Sequence, residues 1–388
     1  MIPAKGASLV GLRGLNARAV LSVIRARAPI SRAQVSREVG LTRPTVAAAM
    51  ETLLRAGLVR EAPPIDNQPS FGATFFEPAP DAAYFAAFDI DRRQCRAVLV
   101  DAWGQVAASG DAAGTNRTPE DLVAHAAGVT RELCQQAEVA EDRVVLAIAG
   151  VPAAVDPRDG MVRLSAYRLI EGFPLGQALS EAMSVPAVVH NDTNLAAVGE
   201  RAEGVAWGVS DFAYITVGRS VGAGIVLRGE VMAGYHGASG EIDTPITDTG
   251  FLPGSPAADA FAVFAREIMA AHGTGAKPKF SPTPASVFAA ARRGNEVAKA
   301  IVTEEAKRIA ERAALVCRVV DIELVVLGGG IGRHCDLILD QIRASLATQV
   351  RYPPRVEVSP LTQPPVLVGA RAVGVDLALD AVTSAKLG

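Results

Sequence analysis

Cysteine is scarce in this chain of 388 residues. Cys95, Cys134, Cys317 and Cys335 stand far apart and form no Cys-x-x-Cys pair. That argues against a disulfide framework and a clustered structural zinc, and it suits a reducing compartment. Long apolar runs are missing too. No stretch of about 18 apolar residues is present to cross a bilayer, and the first residues lack the hydrophobic core of a secretion signal. A cytoplasmic protein is the expectation. Apolar residues are nevertheless plentiful, at 49%, enough for real cores rather than disorder. The length suits two or three domains.

The organising stretch is PISRAQVSREVGLTRPTVAAAMETLLRAGLVR, residues 29–60. Ser31 is suited to cap a first helix, and Gly40 to end it with a positive φ. Thr42 is suited to cap a second, with Pro44 in its first turn. Val46, Met50, Leu53 and Leu54 give that second helix an apolar stripe. Helix, glycine-containing turn, helix is the pattern that places a second helix in the DNA major groove. A further helix over Leu12–Ala28 packs behind the pair. Residues 1–60 hold Lys5 and nine arginines against Glu38 and Glu51, a net +8, on a chain of net −3, so residues 61–388 carry −11. A basic head on an acidic body suits nucleic acid; the alternative is a helical protein-interaction domain with a solvated basic face. Phe71, Phe75 and Phe76 suggest the strands of a wing. No basic residue lies between Arg60 and Arg92, so strong phosphate contacts from that wing are not expected.

Beyond a linker ending near Asp81 the chain alternates strands and helices. Strands are expected at Tyr84–Ile90, Gln94–Asp101, Gln105–Ser109, Val144–Ala149, Ala187–His190, Phe212–Val217, Gly222–Leu227, Glu323–Leu327 and Val366–Val368. Helices are expected from Thr118, over Asn194–Glu200, over Glu296–Val320 and from Ala370. This is an α/β plan with internal duplication. Its ligands belong in the loops beyond the strand ends: 89–93, 150–156, 191–194, 218–224, 240–243 and 328–332.

Seven pieces, in order, carry a family likeness: SRAQVSREVGLTRPTV at 31–46, AGVPAAVD at 149–156, HNDTNLAAVGE at 190–200, VGRSVGAGIVLRGEVMAG at 217–234, GASGEI at 237–242, VVLGGGIG at 325–332 and VGARAVG at 368–374. By these the chain resembles the ROK family (repressors, open reading frames and kinases) over nearly its full length. The resemblance implies an α+β winged helix-turn-helix domain followed by a two-lobed, sugar-kinase and actin-like body of duplicated ribonuclease H-like plan. The expected domains are 1–80, 81–190 and 191–388, with the C-terminal helix able to return to the first lobe.

Three departures bear on activity. Family kinases hold phosphate with Asp-Ile-Gly-Gly-Thr, where this chain has Asp89-Ile90-Asp91-Arg92-Arg93. Side chains obstruct the close backbone approach that glycine permits, and Asp91 adds like charge. The second loop, usually Gly-Thr-Gly, is Gly218-Arg219-Ser220. The family zinc site is replaced by EIDTPITDTGFLPGSPAADAF, with no cysteine or histidine and with Thr244 where the histidine would stand. The family sugar-contacting Asn is also lost in Ser165-Ala166-Tyr167-Arg168, where Tyr167 could stack on a ring and Arg168 meet an anion. His125, His272, His334 and Cys335 are too isolated to argue for metal.

The resemblance therefore implies a regulator, a repressor by type, rather than an enzyme. Operator contacts fall to Ser31, Arg32, Gln34, Thr42, Arg43 and Thr45, with Arg43 and Thr45 on base edges. A sugar or phosphosugar effector is expected at Gly150, Asn191, Asp192, Glu241 and Asp259, with no cofactor or metal. Asn191 and Asp192 alternatively form a helix cap, Glu241 a surface acid, and Asp259 a helix-start acid. Gly328-Gly329-Gly330 is read as strand-to-helix packing. A homodimer or homotetramer matches paired half-sites. The rival is an ATP-dependent sugar kinase carrying a DNA-binding arm, with Asp192 as its base.

Overall fold

The structure is a computed structural model that describes residues 9–63, 73–91, 94–114, 117–165, 168–243, 252–271 and 280–387. Phe71, Arg92, Arg93, Tyr167, Thr244 and His272 lie outside the described residues.

The head comprises α1 (Leu9–Arg27), β1 (Ile30–Ser31), α2 (Arg32–Val39), α3 (Arg43–Arg55), β2 (Val59–Ala62) and β3 (Phe75–Pro78). Its strands form an antiparallel sheet in the order β1-β3-β2. Val46, Met50 and Leu53 of α3 are buried against Val20 and Ile24 of α1, with Phe76 of β3 beneath.

The first lobe holds β4 (Tyr84–Ile90), β5 (Gln94–Asp101), β6 (Val106–Ala113), α4 (Pro119–Gln136), β7 (Val144–Val151), β8 (Ala153–Val155), β9 (Val162–Ser165), α5 (Leu175–Met183) and β10 (Ala187–Asn191), and α6 (Asp192–Glu203) follows, packing Ala196 and Ala197 on the second lobe's sheet. Thr118 and Asp121 cap α4 reciprocally, with Pro119 in the first turn. The second lobe holds β11 (Phe212–Val217), β12 (Val221–Leu227), β13 (Glu230–Val231), α7 (Ala258–Ala271), α8 (Pro284–Arg292), α9 (Glu296–Cys317), β14 (Leu324–Gly328), α10 (Gly329–Gly332), α11 (Leu339–Ala347), β15 (Arg355–Val358) and α12 (Pro365–Leu387).

The two sheets repeat one plan. The first runs β10-β7-β4-β5-β6 and the second β15-β14-β11-β12-β13; in each, three strands are antiparallel and the remainder join in parallel. The strand expected at Val366–Val368 is instead the first turn of α12. Pro365 presets the helical φ there, and an apolar run without alternation does not distinguish strand from buried helix.

The chain end closes the fold. α12 lies on the first sheet, where Ala370, Val375 and Ala378 pack with Phe85, Leu146 and Ile148. It also crosses α6 closely: a Cβ at Gly369 would stand 1.8 Å from the Leu195 carbonyl oxygen. Its far end reaches the head. Val382 joins the head core, Arg25 meets Asp376 at 3.1 Å, and Arg18 meets Asp380 at 3.6 Å and Ser384 at 3.0 Å. Among the described residues no helix is long and apolar enough to cross a membrane.

The second core contains a buried acid. Glu305 of α9 is fully buried, both carboxyl oxygens lack a hydrogen bond, and the nearest Arg308 nitrogen is 3.9 Å away. Burial pushes its carboxyl up to about 8. The folded state therefore keeps the proton while the unfolded chain loses it. This contribution to stability is full below the unfolded pKa of 4.5 and is lost as pH rises through about 8. Glu305→Gln removes the penalty. The variant is expected to match the native protein near pH 4.5 and to exceed it by on the order of 5 kcal/mol at pH 8.5, read from denaturant midpoints at the two pH values. A constant difference across pH would show that Glu305 does not titrate in this window.

Candidate functional site

The head presents α3 through two caps. Ser31 is 8% exposed; its hydroxyl donates to Gln34 Oε1 at 2.7 Å, its N–H donates to the same oxygen at 2.9 Å, and the Gln34 N–H donates back at 3.4 Å. This is a capping box. Gly40 turns the chain at φ 69°, and Ser36 Oγ donates to the Leu41 carbonyl at 2.7 Å. Thr42 then caps α3: its hydroxyl accepts from the Thr45 N–H at 3.4 Å and pairs with the Thr45 hydroxyl at 2.8 Å.

These bonds engage four of the expected operator contacts, Ser31, Gln34, Thr42 and Thr45, within the head itself. Ser31 is buried in its cap, and Thr45 is half-buried with its hydroxyl on Thr42. Both hold the turn in shape. Gln34 gives its carbonyl oxygen to the cap. The signal was present as Ser-x-x-Gln at 31–34. Arg32 is exposed, with its guanidinium 5.0 Å over the Phe76 ring. Other head arginines have carboxylate neighbours: Arg18, Arg25, Arg27, Arg55 and Arg60. Arg37 and Arg43 are exposed and, among the described residues, pair with no carboxylate.

The cleft between the lobes gathers carboxylates. Asp89 ends β4, with Arg96 Nη1 at 3.3 Å, and burial raises its pKa. Asp192 opens α6. Its Oδ1 accepts from the Thr193 N–H at 2.6 Å and the Thr193 hydroxyl at 3.1 Å. Burial, and then the charges of Asp89 and Glu241, push Asp192 up to about 7. Glu241 is half-buried on a loop that Gly240 pins to β12: at φ 85° its carbonyl accepts from the Ala223 N–H at 2.8 Å, and a Cβ there would meet the Ala223 oxygen at 1.7 Å. Asp89, Asp192 and Glu241 thus form one acidic group.

Three expected ligand residues do not join it. Asn191 caps α6, accepting from the Asn194 N–H at 2.9 Å and donating to the Ala153 carbonyl at 3.1 Å. Gly150 is buried, and a Cβ there would stand 2.4 Å from Val366 Cγ1, so its work is to seat α12 on the sheet. Asp259 is exposed in the first turn of α7, beside the 218–220 turn through the Ala258 N–H to Gly218 carbonyl bond of 2.8 Å.

An ion pair joins the two lobes just beyond the ends of β4 and β11. Arg219 Nη2 lies 3.7 Å from Asp91 Oδ2. The Gly218 N–H, a donor that a phosphate would use, is bonded to the Ser220 carbonyl at 3.1 Å. Gly328, Gly329 and Gly330 lie in β14 and the first turn of α10, where a Cβ at Gly329 would stand 2.7 Å from the Val217 carbonyl oxygen. A second seam contact joins the lobes: Arg158 lies 4.2 Å from the Tyr235 ring centre, with Nη2 3.3 Å from His236 Nδ1. Asp156 holds Arg158 at 2.6 Å, and the Arg158 and Arg163 guanidiniums keep that buried carboxyl well below the usual range. The two contacts between lobes, Arg219 with Asp91 and Arg158 with Tyr235 and His236, are not visible in the sequence, because their partners are far apart in the chain.

An ion pair ties Asp243, Pro253 and Ser255 to α9. Arg312 Nε meets Asp243 Oδ1 at 2.6 Å, Ser255 Oγ donates to Asp243 Oδ2 at 2.5 Å, and Arg312 Nη2 donates to the Pro253 carbonyl at 2.9 Å. Among the described residues no group of three histidine, cysteine or acidic side chains could hold a metal ion.

Comparison with known proteins adds three findings. Residues 85–375 match the ROK family model, and residues 15–60 match a model described as winged helix-turn-helix DNA-binding. The chain is 23% identical to the xylose repressor of Caldicellulosiruptor bescii, across 93% of this chain and 96% of that protein. It is 32% identical to the bifunctional enzyme NanE/NanK of Brucella suis over 45% of this chain, and spans about a third (32%) of that enzyme. In fold it superposes on a ROK family transcriptional regulator, a homolog of the Escherichia coli Mlc protein, with a TM-score of 0.78 at 20% identity, covering 97% of this chain and 99% of the other.

Proposed function

The chain belongs to the ROK family, and we propose that it is a cytoplasmic, effector-responsive transcriptional repressor that grips operator DNA through α3 and a sugar-like molecule in the cleft. The observation that carries the reading is the conjunction, in one chain, of an outward-facing α3 with an unpaired Arg43 and a cleft whose phosphate turns are occupied by the Arg219–Asp91 pair. Phosphoryl transfer rests almost wholly on holding and neutralising phosphate. Here the second turn satisfies its own N–H, and Asp91 places negative charge where phosphate would lie. The body is therefore a binding module with its catalytic function lost. Residues 1–80 form the reading head, and the lobes supply a homodimer that spaces two α3 helices by about 34 Å along the DNA.

The kinase reading is favoured by one observation, Asp192 at the head of α6 in the acidic group. A coupled assay with ATP over glucose, xylose and N-acetylglucosamine separates the two; turnover lost in Asp192→Asn would establish the kinase.

On the regulator reading Asp192 accepts hydrogen bonds from ligand hydroxyls, and its ionised form accepts best. Binding of a cleft sugar is expected to tighten as pH rises through about 7. In Asp192→Asn the pH dependence disappears and affinity falls by roughly tenfold or more. Calorimetric titration between pH 5.5 and 8.5 reads both. Equal affinity in the two proteins would remove Asp192 from the contact set.

A further inference from the structure

The outward face of α3 carries very little hydrogen-bonding chemistry. Its exposed positions are Arg43, Pro44, Ala47, Ala48, Glu51 and Arg55. The hydroxyls of Thr42 and Thr45 pair with each other, Thr52 Oγ1 donates to the Ala48 carbonyl at 2.9 Å, and Glu51 and Arg55 meet at 2.9 Å. In the first half of the helix, the part that goes deepest into the groove, one free guanidinium and two methyl groups remain. No asparagine or glutamine stands on α3 to take adenine in a bidentate contact.

Each of these groups has a natural counterpart on a base edge. A guanidinium matches guanine O6 and N7, and an alanine methyl matches the C5-methyl of thymine. We propose that Ala47 and Ala48 are specificity-determining residues that read thymine methyl groups, so that the half-site sets one fixed guanine, under Arg43, beside A·T pairs. This rests on the DNA-reading function proposed above and names its substrate. Spacing follows from the helix. Arg43 and Ala47 are four residues apart, about 6 Å along the axis, or roughly two base steps at 3.4 Å each. The first contacted thymine therefore lies about two steps from the guanine.

The test begins with selection of bound duplexes from a random library by the full chain. In the enriched sequence each thymine near the guanine is then replaced by deoxyuridine, which deletes only the methyl group and leaves the protein untouched. Affinity is expected to fall about fourfold at each contacted position, the worth of one buried methyl. That loss should vanish at one position in Ala47→Gly and at another in Ala48→Gly, with helicity checked by circular dichroism. An enriched sequence indifferent to deoxyuridine overturns the inference and leaves the regulator standing. A penalty that persists in both glycine variants assigns the methyl contact to other residues and also overturns it. Failure to enrich any sequence sinks the DNA-reading function itself.

Discussion

Asp243→Ala is expected to lower the stability of the body by about 3–5 kcal/mol, the usual cost of stranding one member of a buried ion pair. Arg312 is 7% exposed and Asp243 8%, so neither charge has water to replace its partner. The loss extends beyond the pair, because Asp243 also accepts from Ser255, whose Oγ in turn accepts from the Ala257 N–H at 3.2 Å just before α7. The clamp thereby ties the segment after Glu241 to α9. The double variant Asp243→Leu with Arg312→Met is expected to recover most of the loss, since an apolar pair of similar size avoids desolvating two charges. Urea midpoints of the three proteins decide the point. A cost below about 1 kcal/mol for Asp243→Ala, typical of surface pairs, would mean the clamp is peripheral.

Arg43→Ala is expected to weaken binding to the preferred operator by about 10- to 100-fold, or 1–3 kcal/mol, and to relax preference at a single base pair. Arg37→Ala provides the contrast. A phosphate contact from the exposed face of α2 carries no sequence information, so its loss should weaken all duplexes alike and reduce the salt slope by about 1. Fluorescence anisotropy on cognate and scrambled duplexes across salt separates the two. A uniform loss in Arg43→Ala would make it a phosphate contact and move base reading elsewhere.

What the sequence disclosed was local. Caps and turns involve residues three or four apart, so Ser31, Gly40, Thr42 and Thr118 could be placed before any coordinates, and each caps or turns as read. The duplicated α/β plan was legible because strand and helix signals recur in the same order twice, and the two-lobed form was what the family resemblance implied. Roles were harder. Asn191 and Ser31 were open to a contact role and a cap role alike, because polar residues at a helix start serve as either; the structure shows the caps. Val366–Val368 looked like a strand because burial on all sides erases periodicity. The Arg219–Asp91 pair, the Arg312–Asp243 clamp and the docking of Arg18 and Arg25 on α12 join residues 69 to 362 positions apart, beyond what any local pattern records. The +8 of the head likewise overstates the charge offered to DNA, since three of its arginines stand beside carboxylates from beyond residue 60: Arg18 by Asp380, Arg25 by Asp376 and Arg60 by Glu77.

The central claim is that the head selects particular DNA sequences on behalf of a body that no longer transfers phosphate. Sequencing the DNA cross-linked to the full chain in its own cells tests that most directly. The account predicts a small number of discrete sites sharing an inverted repeat, with half-site centres about 10 base pairs or a multiple apart. Coverage no different from bulk genomic DNA would contradict it.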